Sequence, residues 1–215
     1  FLNNDGKVFR LYTDARDNAL MNEGYTMKSS FVYDITPPTN TISYPYNNGY
    51  ISQAGKIAGG SYDSPSGRTG NVHVRVKQLT GPKADHYWRV SDSSWTLTNV
   101  FNNVPVYGTL SPNGTWWQLN TSPWQSGETY EVNSYAVDKA GNYEAAYSTA
   151  TNIKGDFTAP YSTVTLPAEG ATYGATPLNQ LTGTAHDDSP GELDKIYAQI
   201  GYSPTGQGGA ITYSY

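Results

Sequence analysis

Two kinds of side chain in this sequence could do chemistry: carboxylates gathered at turns, and tryptophans crowded into one short span. Asp34 and Asp156 open the stretches "DITPPT" and "DFTAPYST". Asp138 and Glu144 stand in "VDKAGNYE", and Asp17 and Glu23 hold like places near the start. Asp63, Asp187 and Asp188 lie in loops further along. Carboxylate oxygens converging from separate turns are the donors that a calcium ion takes, about six to eight at a time. Asp34, Asp138, Asp156 and Glu144 are the candidate calcium ligands. The same residues have a plainer use, because an aspartate at a turn accepts backbone N–H groups through its side chain. Asp138 in "DKAGN" and Asp34 in "DITPP" suit that use, and the sequence leaves both readings open.

Trp88, Trp95, Trp116, Trp117 and Trp124 all fall between positions 88 and 124. Indole rings stack on sugars and anchor protein contacts. Trp88, Trp95, Trp117 and Trp124 are therefore candidate platforms for a glycan or a protein partner. The reading the sequence favours over these is that the tryptophans fill a core and a hairpin flap. Trp116 and Trp117 are adjacent, so on a strand they point to opposite faces and only one can be core.

Other chemistries find little support. His73, His86 and His186 share no metal-ligand spacing and read as surface histidines; no Gly-x-Ser-x-Gly occurs. There is no cysteine, hence no disulfide, thiol nucleophile or Cys-ligated metal. A net charge of -5 and a pI near 5.1 argue against a nucleic-acid partner. No apolar run approaches the ~20 residues of a membrane helix. The expectation is a non-enzymatic protein with no cofactor beyond possible calcium.

The elements that position these residues read as strands. Of 215 residues, 19 are Tyr, 22 Gly and 13 Pro, with charged residues at only 14%. Such a chain favours β-structure punctuated by turns. "NVHVRVKQL" (71–79) alternates, with Val72, Val74 and Val76 on one face and His73, Arg75 and Lys77 on the other. "TYEVNSYAV" (129–137) puts Tyr130, Val132, Ser134 and Ala136 on one side. "NTISYP", "KIAGGSY", "TWWQLN" and "YEAAYSTATNI" add strands, and "HYWRV" with "SSWTL" predicts a hairpin. Gly59 and Gly60 mark a bulge or a close-packing point. About seven strands without helical periodicity predict an antiparallel two-sheet sandwich.

The chain also repeats itself. Gly6, Phe9, Leu11, Ala15, Asp17, Ala19 and Glu23 fall on Gly127, Tyr130, Val132, Ala136, Asp138, Ala140 and Glu144 at an offset of 121, which is 127 less 6. "DITPPTNTISYP" (34–45) matches "DFTAPYSTVTLP" (156–167) at 122. "IAGGSYD" (57–63) matches "LTGTAHD" (181–187), and "NVHVRV" (71–76) matches "KIYAQI" (195–200), both at 124. Ordered blocks at a nearly constant offset predict tandem repeats: the end of one over 1–33, a complete one over 34–155, and the head of a third over 156–215. The chain then reads as a window on a longer array, or as half-modules that copies of the chain complete head to tail.

"ETYEVNSYAVDKAGN", the Asp-x-Thr-x-Pro junctions and "YWRVSDSSW" resemble fibronectin type III and bacterial Ig-like modules of large surface proteins. The resemblance covers the whole chain. It implies Ig-like sandwiches in tandem on an extracellular or cell-surface protein, serving as stalk, spacer, adhesin or fibre. Expected partners are neighbouring repeats, copies of the chain, a host-surface protein or a glycan. A second expectation is a carbohydrate-binding or spacer module of a secreted enzyme. Tyr130, just after a Gly turn on the penultimate strand, is the candidate tyrosine corner of such folds, and Phe9 holds its place without a hydroxyl.

Overall fold

A computed structural model describes residues 4–51, 55–64, 69–110, 114–121, 123–174, 178, 180–202 and 212–214; the side chains of 108–110, 202 and 212–214 are left aside. The chain is all-β and divides into two compact units, Phe1–Phe157 and Thr158–Tyr215. No helix among the described residues is long and apolar enough to cross a membrane.

The first unit begins with a hairpin, β1 (Val8–Thr13) on β2 (Thr26–Val32). A sandwich follows. One sheet orders β3 (Thr39–Tyr44), β5 (Lys56–Tyr62), β10 (Gly114–Asn120) and β9 (Asn102–Leu110). The other orders β9, β6 (Thr69–Gln78), β11 (Thr129–Asp138), β12 (Ser148–Gly155) and the two-residue β4 (Tyr50–Ile51). The hairpin β7 (Tyr87–Arg89) and β8 (Ser94–Thr96) hangs on β6. With β3, β5, β10 and β9 as A, B, E and D, and β6, β11 and β12 as C, F and G, the order is that of an immunoglobulin-like sandwich.

Alternation sets the core. Val72, Val74 and Val76 of β6 and Tyr130, Val132, Ser134 and Ala136 of β11 face inward, as their period of two predicts. They meet Ile57, Trp117 and Leu119 from the facing sheet, with Val104 of β9 beside Val72 and Ile153 of β12 closing the layer. A Cβ on Gly59 would lie 1.9 Å from the Thr41 carbonyl oxygen and 2.4 Å from the Trp117 ring, so this strand position must be glycine for the layers to close.

Strand β9 was not legible in the sequence. Pro105 interrupts the run and speaks against an interior strand. The strand tolerates it by changing partner there: Asn102–Pro105 pair with β6, while Val106, Tyr107 and Leu110 pair with β10. The free edge of β3 is covered from the opposite sheet. Glu144 Oε1 accepts the Asn40 N–H at 2.9 Å, and Ser148 Oγ accepts the Ile42 N–H at 3.2 Å.

The second unit pairs β13 (Tyr161–Leu166) with β14 (Thr182–His186) and β15 (Ile200–Tyr202) with β16 (Thr212–Ser214). Tyr161↔His186 and Val164↔Gly183 carry over Thr39↔Tyr62 and Ile42↔Gly59 at the sequence offsets of 122 and 124. Likewise Phe9↔Phe31 and Thr13↔Thr26 of the first hairpin carry over Tyr130↔Ile153 and Ser134↔Ser148. Of 195–200, aligned with β6, only Ile200 falls in a strand.

Candidate functional site

Three of the carboxylates meet at one end of the sandwich. Asp34 lies between the first hairpin and β3, Asp63 directly follows β5, and Asp138 ends β11 opposite Thr69. A ligand oxygen from each lies within 4.8 Å of the other two. A side-chain chain underlies the site: Thr69 Oγ1 and Ser61 Oγ share a hydrogen bond at 2.9 Å, and Ser61 Oγ donates to the Thr39 carbonyl at 2.9 Å.

Two of the three aspartates cap turns. Asp138 Oδ1 accepts the Asn142 N–H at 2.8 Å, its Oδ2 accepts Asn142 Nδ2 at 2.7 Å, and the same amide reaches the Asp34 carbonyl at 3.2 Å. Asp34 Oδ1 accepts the Thr36 N–H at 3.2 Å. Asp63 is different. It is 1% exposed, and neither carboxylate oxygen has a hydrogen-bond partner. Burial, and then the charges of Asp34 and Asp138, push its carboxyl up to about 6 against a lesser opposing pull from the Ser64 backbone N–H. Asp34 is also raised, first by burial and then by Asp138 and Asp5.

The other two carboxylates proposed from sequence lie elsewhere, for local reasons. Both oxygens of Glu144 accept backbone N–H groups, from Asn40 and Ala136, at 2.9 Å each. It staples the two sheets, and burial raises its carboxyl. Asp156 follows β12, with its N–H on the Ile51 carbonyl at 2.9 Å. The calcium set expected from sequence is thus corrected: Asp34 and Asp138 converge, Asp156 and Glu144 do not, and Asp63 stands in their place. The signal for Asp63 was present in the shared "SYD" and "AHD".

Of the four candidate platform tryptophans, two take the core reading instead. Trp117 is 0% exposed and Trp124 is buried, so neither has a face for a ligand. Trp117 shares its side of β10 with Leu119, whereas Trp116 shares its side with Gln118 and Asn120 and is 43% exposed. Trp88 and Trp95 are half-buried cross-strand partners whose rings meet at 5.3 Å. Trp88 Nε1 donates to Thr121 Oγ1 at 2.7 Å. Trp95 and Trp124 flank Tyr130, at 6.2 and 5.0 Å. The hydroxyl oxygen of Tyr130 accepts the Gln125 N–H at 2.7 Å, the expected tyrosine corner. Phe9 in its counterpart position stacks on Phe31 at 5.3 Å.

The aromatic surface lies instead on the outer face of β6, β11 and β12. Tyr135 stacks on His73 at 4.7 Å and meets Phe101 at 5.0 Å. The Arg75 guanidinium lies 4.9 Å from the Phe101 ring and 5.6 Å from Tyr147. Phe101, Tyr135, Tyr143 and Tyr147 line an open hollow of about 600 Å³.

Strand order, corner tyrosine and interleaved core define the chain as an immunoglobulin-like β-sandwich protein. No family model and no curated protein matches it. Among solved structures it is similar to astrotactin-2, described as a vertebrate-specific, perforin-like membrane protein, at 11% identity and a TM-score of 0.35 over 66% of this chain. The chain spans about 24% of that protein's length. It is also similar to murine CRIg, at 12% identity and a TM-score of 0.26, over 56% of this chain and 98% of the other.

Proposed function

We propose that the chain is a non-enzymatic structural repeat segment of a large bacterial extracellular protein, working as a stalk, spacer or fibre-forming module. The observation that carries this reading is the recurrence of backbone pairing. Two strand pairings each recur in the same register at offsets of 121 to 124 residues, β11–β12 in β1–β2 and β3–β5 in β13–β14, which is what repeated copies of one module would do. Cross-sheet staples at β3 and a cysteine-free core suit a domain that bears load through its ladders. Pro37, Pro38 and Pro160 favour extended connections. Neighbouring repeats, copies of the chain, or a host-surface protein are the partners this reading implies.

Pulling the chain from both ends in a force spectrometer tests it. The expected trace has one dominant rupture, releasing about 400 Å of chain, as an extended stretch of roughly 120 residues would. Smooth extension without a rupture would overturn the reading. The exposed aromatic face favours a second reading, a carbohydrate-binding or spacer module of a secreted enzyme. Retention on cellulose or chitin, lost on replacing Tyr143 and Tyr147 by alanine, would select that one instead.

A further inference from the structure

We propose that Asp34, Asp63 and Asp138 form a binding site for a divalent, oxygen-preferring cation, with calcium as the fitting ion. The site belongs to the sandwich itself and does not depend on where the chain acts.

Geometry comes first. Calcium–oxygen bonds of about 2.3–2.6 Å put two oxygens on opposite sides of an ion at about 4.6–5.2 Å. The three aspartates offer one oxygen each, all within 4.8 Å of one another, so a single coordination sphere can hold them. They come from three separate segments, and the backbone fixes each: the end of β5, the end of β11, and the connection into β3.

The second observation is independent of the clustering. Asp63 is buried with both oxygens unpartnered, facing two further carboxylates. Buried charge is found paired or coordinating a metal. Among the described residues no lysine or arginine forms an ion pair with any of the three. A bound cation would satisfy Asp63 and relieve the mutual repulsion. Asp34 and Asp138 keep lone pairs for it, since each oxygen that accepts an N–H has a second lone pair.

The donor set selects the ion. The group holds no His and no Cys, so metals preferring nitrogen or sulfur are poorly served. Magnesium requires a tight octahedron at about 2.0–2.1 Å and keeps most of its water, whereas calcium accepts irregular carboxylate sets.

The residue types recur along the chain, split between the partial repeats on either side rather than gathered into a second trio. Asp156, Asp187 and Asp17 are the counterparts of Asp34, Asp63 and Asp138 at offsets of 122, 124 and 121. Asp187 Oδ1 is likewise buried without a partner. Asp17 Oδ1 accepts the Met21 N–H at 2.9 Å, as Asp138 Oδ1 accepts that of Asn142 at 2.8 Å. An ion held by the trio would pin the segment entering the sandwich to the ends of two strands from facing sheets.

The test is thermal unfolding of the 215-residue chain in chelator, in 10 mM calcium and in 10 mM magnesium, with calcium uptake measured by equilibrium dialysis. Calcium should raise the melting temperature by about 5 °C or more through preferential binding to the folded state. Magnesium should do markedly less. Asp63→Asn keeps the side-chain shape and removes the buried charge; it should fold in chelator at least as stably as the parent and lose most of the calcium response. The proposal is overturned if the parent melts at one temperature in calcium and chelator. It is also overturned if Asp63→Asn keeps the full calcium shift, and magnesium matching calcium would overturn the choice of ion.

Discussion

The sandwich pair β3–β5 and the second unit's pair β13–β14 share one register and differ in what lies over them. In the sandwich, Ile42 packs against a core that includes Trp117 and Ile57. Its counterpart Val164 is 71% exposed. The two glycines tell the same story. A Cβ on Gly59 would meet both the Thr41 carbonyl and the Trp117 ring, whereas the three atoms nearest one on Gly183 are all backbone, the Thr163 carbonyl oxygen first at 2.2 Å. Pairing is thus written in the local sequence of the two strands. Burial is written in distant residues, the facing sheet that β6, β11 and β12 supply.

The comparison can be broken most forcefully at Trp117. Trp117→Ala should cost about 3–5 kcal/mol in the melting of the sandwich, while Trp116→Ala, on the outer side of the same strand, should cost under about 1 kcal/mol. Equal costs would mean that the ring does not organise the core. Gly59→Ala should follow, at about 1–3 kcal/mol or more, because both an ordered ring and a carbonyl must move. Gly183→Ala should leave the sandwich transition unchanged by calorimetry.

Tyr130 gives the finest contrast. Tyr130→Phe leaves the Gln125 N–H without its acceptor and should cost about 1–2 kcal/mol, whereas Phe9→Tyr should change little. Burial pushes the Tyr130 hydroxyl up to about 12 from an ordinary 10.0. The folded state therefore holds this proton more tightly, so its contribution is complete below pH 10 and falls away as pH rises toward 12. Urea melts between pH 9 and 12 should show that loss in the parent and a shallower one in Tyr130→Phe.

Much of the sandwich was legible because alternation is a local signal. The valines of β6, the inward side of β11 and the β7–β8 hairpin stand where their period of two puts them. Strand β9 was hidden because Pro105 makes sense only once two partners are known. Parity showed that one of Trp116 and Trp117 had to be core, and their neighbours on β10, Leu119 on one side and Gln118 on the other, tell which. The candidate site was half visible. Asp34 and Asp138 announce themselves at turns; Asp63 shows only as the aspartate shared by "SYD" and "AHD", which marks the position but not the burial of its carboxylate beside them. Glu144 looked like a ligand because its two staples, Asn40 and Ala136, are far apart in sequence.

Strand β9 has one more consequence. By leaving one sheet and entering the other it joins the two along one side, and β3 is sealed by Glu144 and Ser148. Among the described strands of the sandwich, the outer ones that remain are short: β4 of two residues and β8 of three. A chain that spells similar strands more than once runs the risk of misassembly, one stretch taking the place intended for its near-copy. Here a finished sandwich offers an intruding strand almost nowhere to dock. Each stretch is left to find its own partners, and correct assembly is protected by closure rather than by differences in spelling.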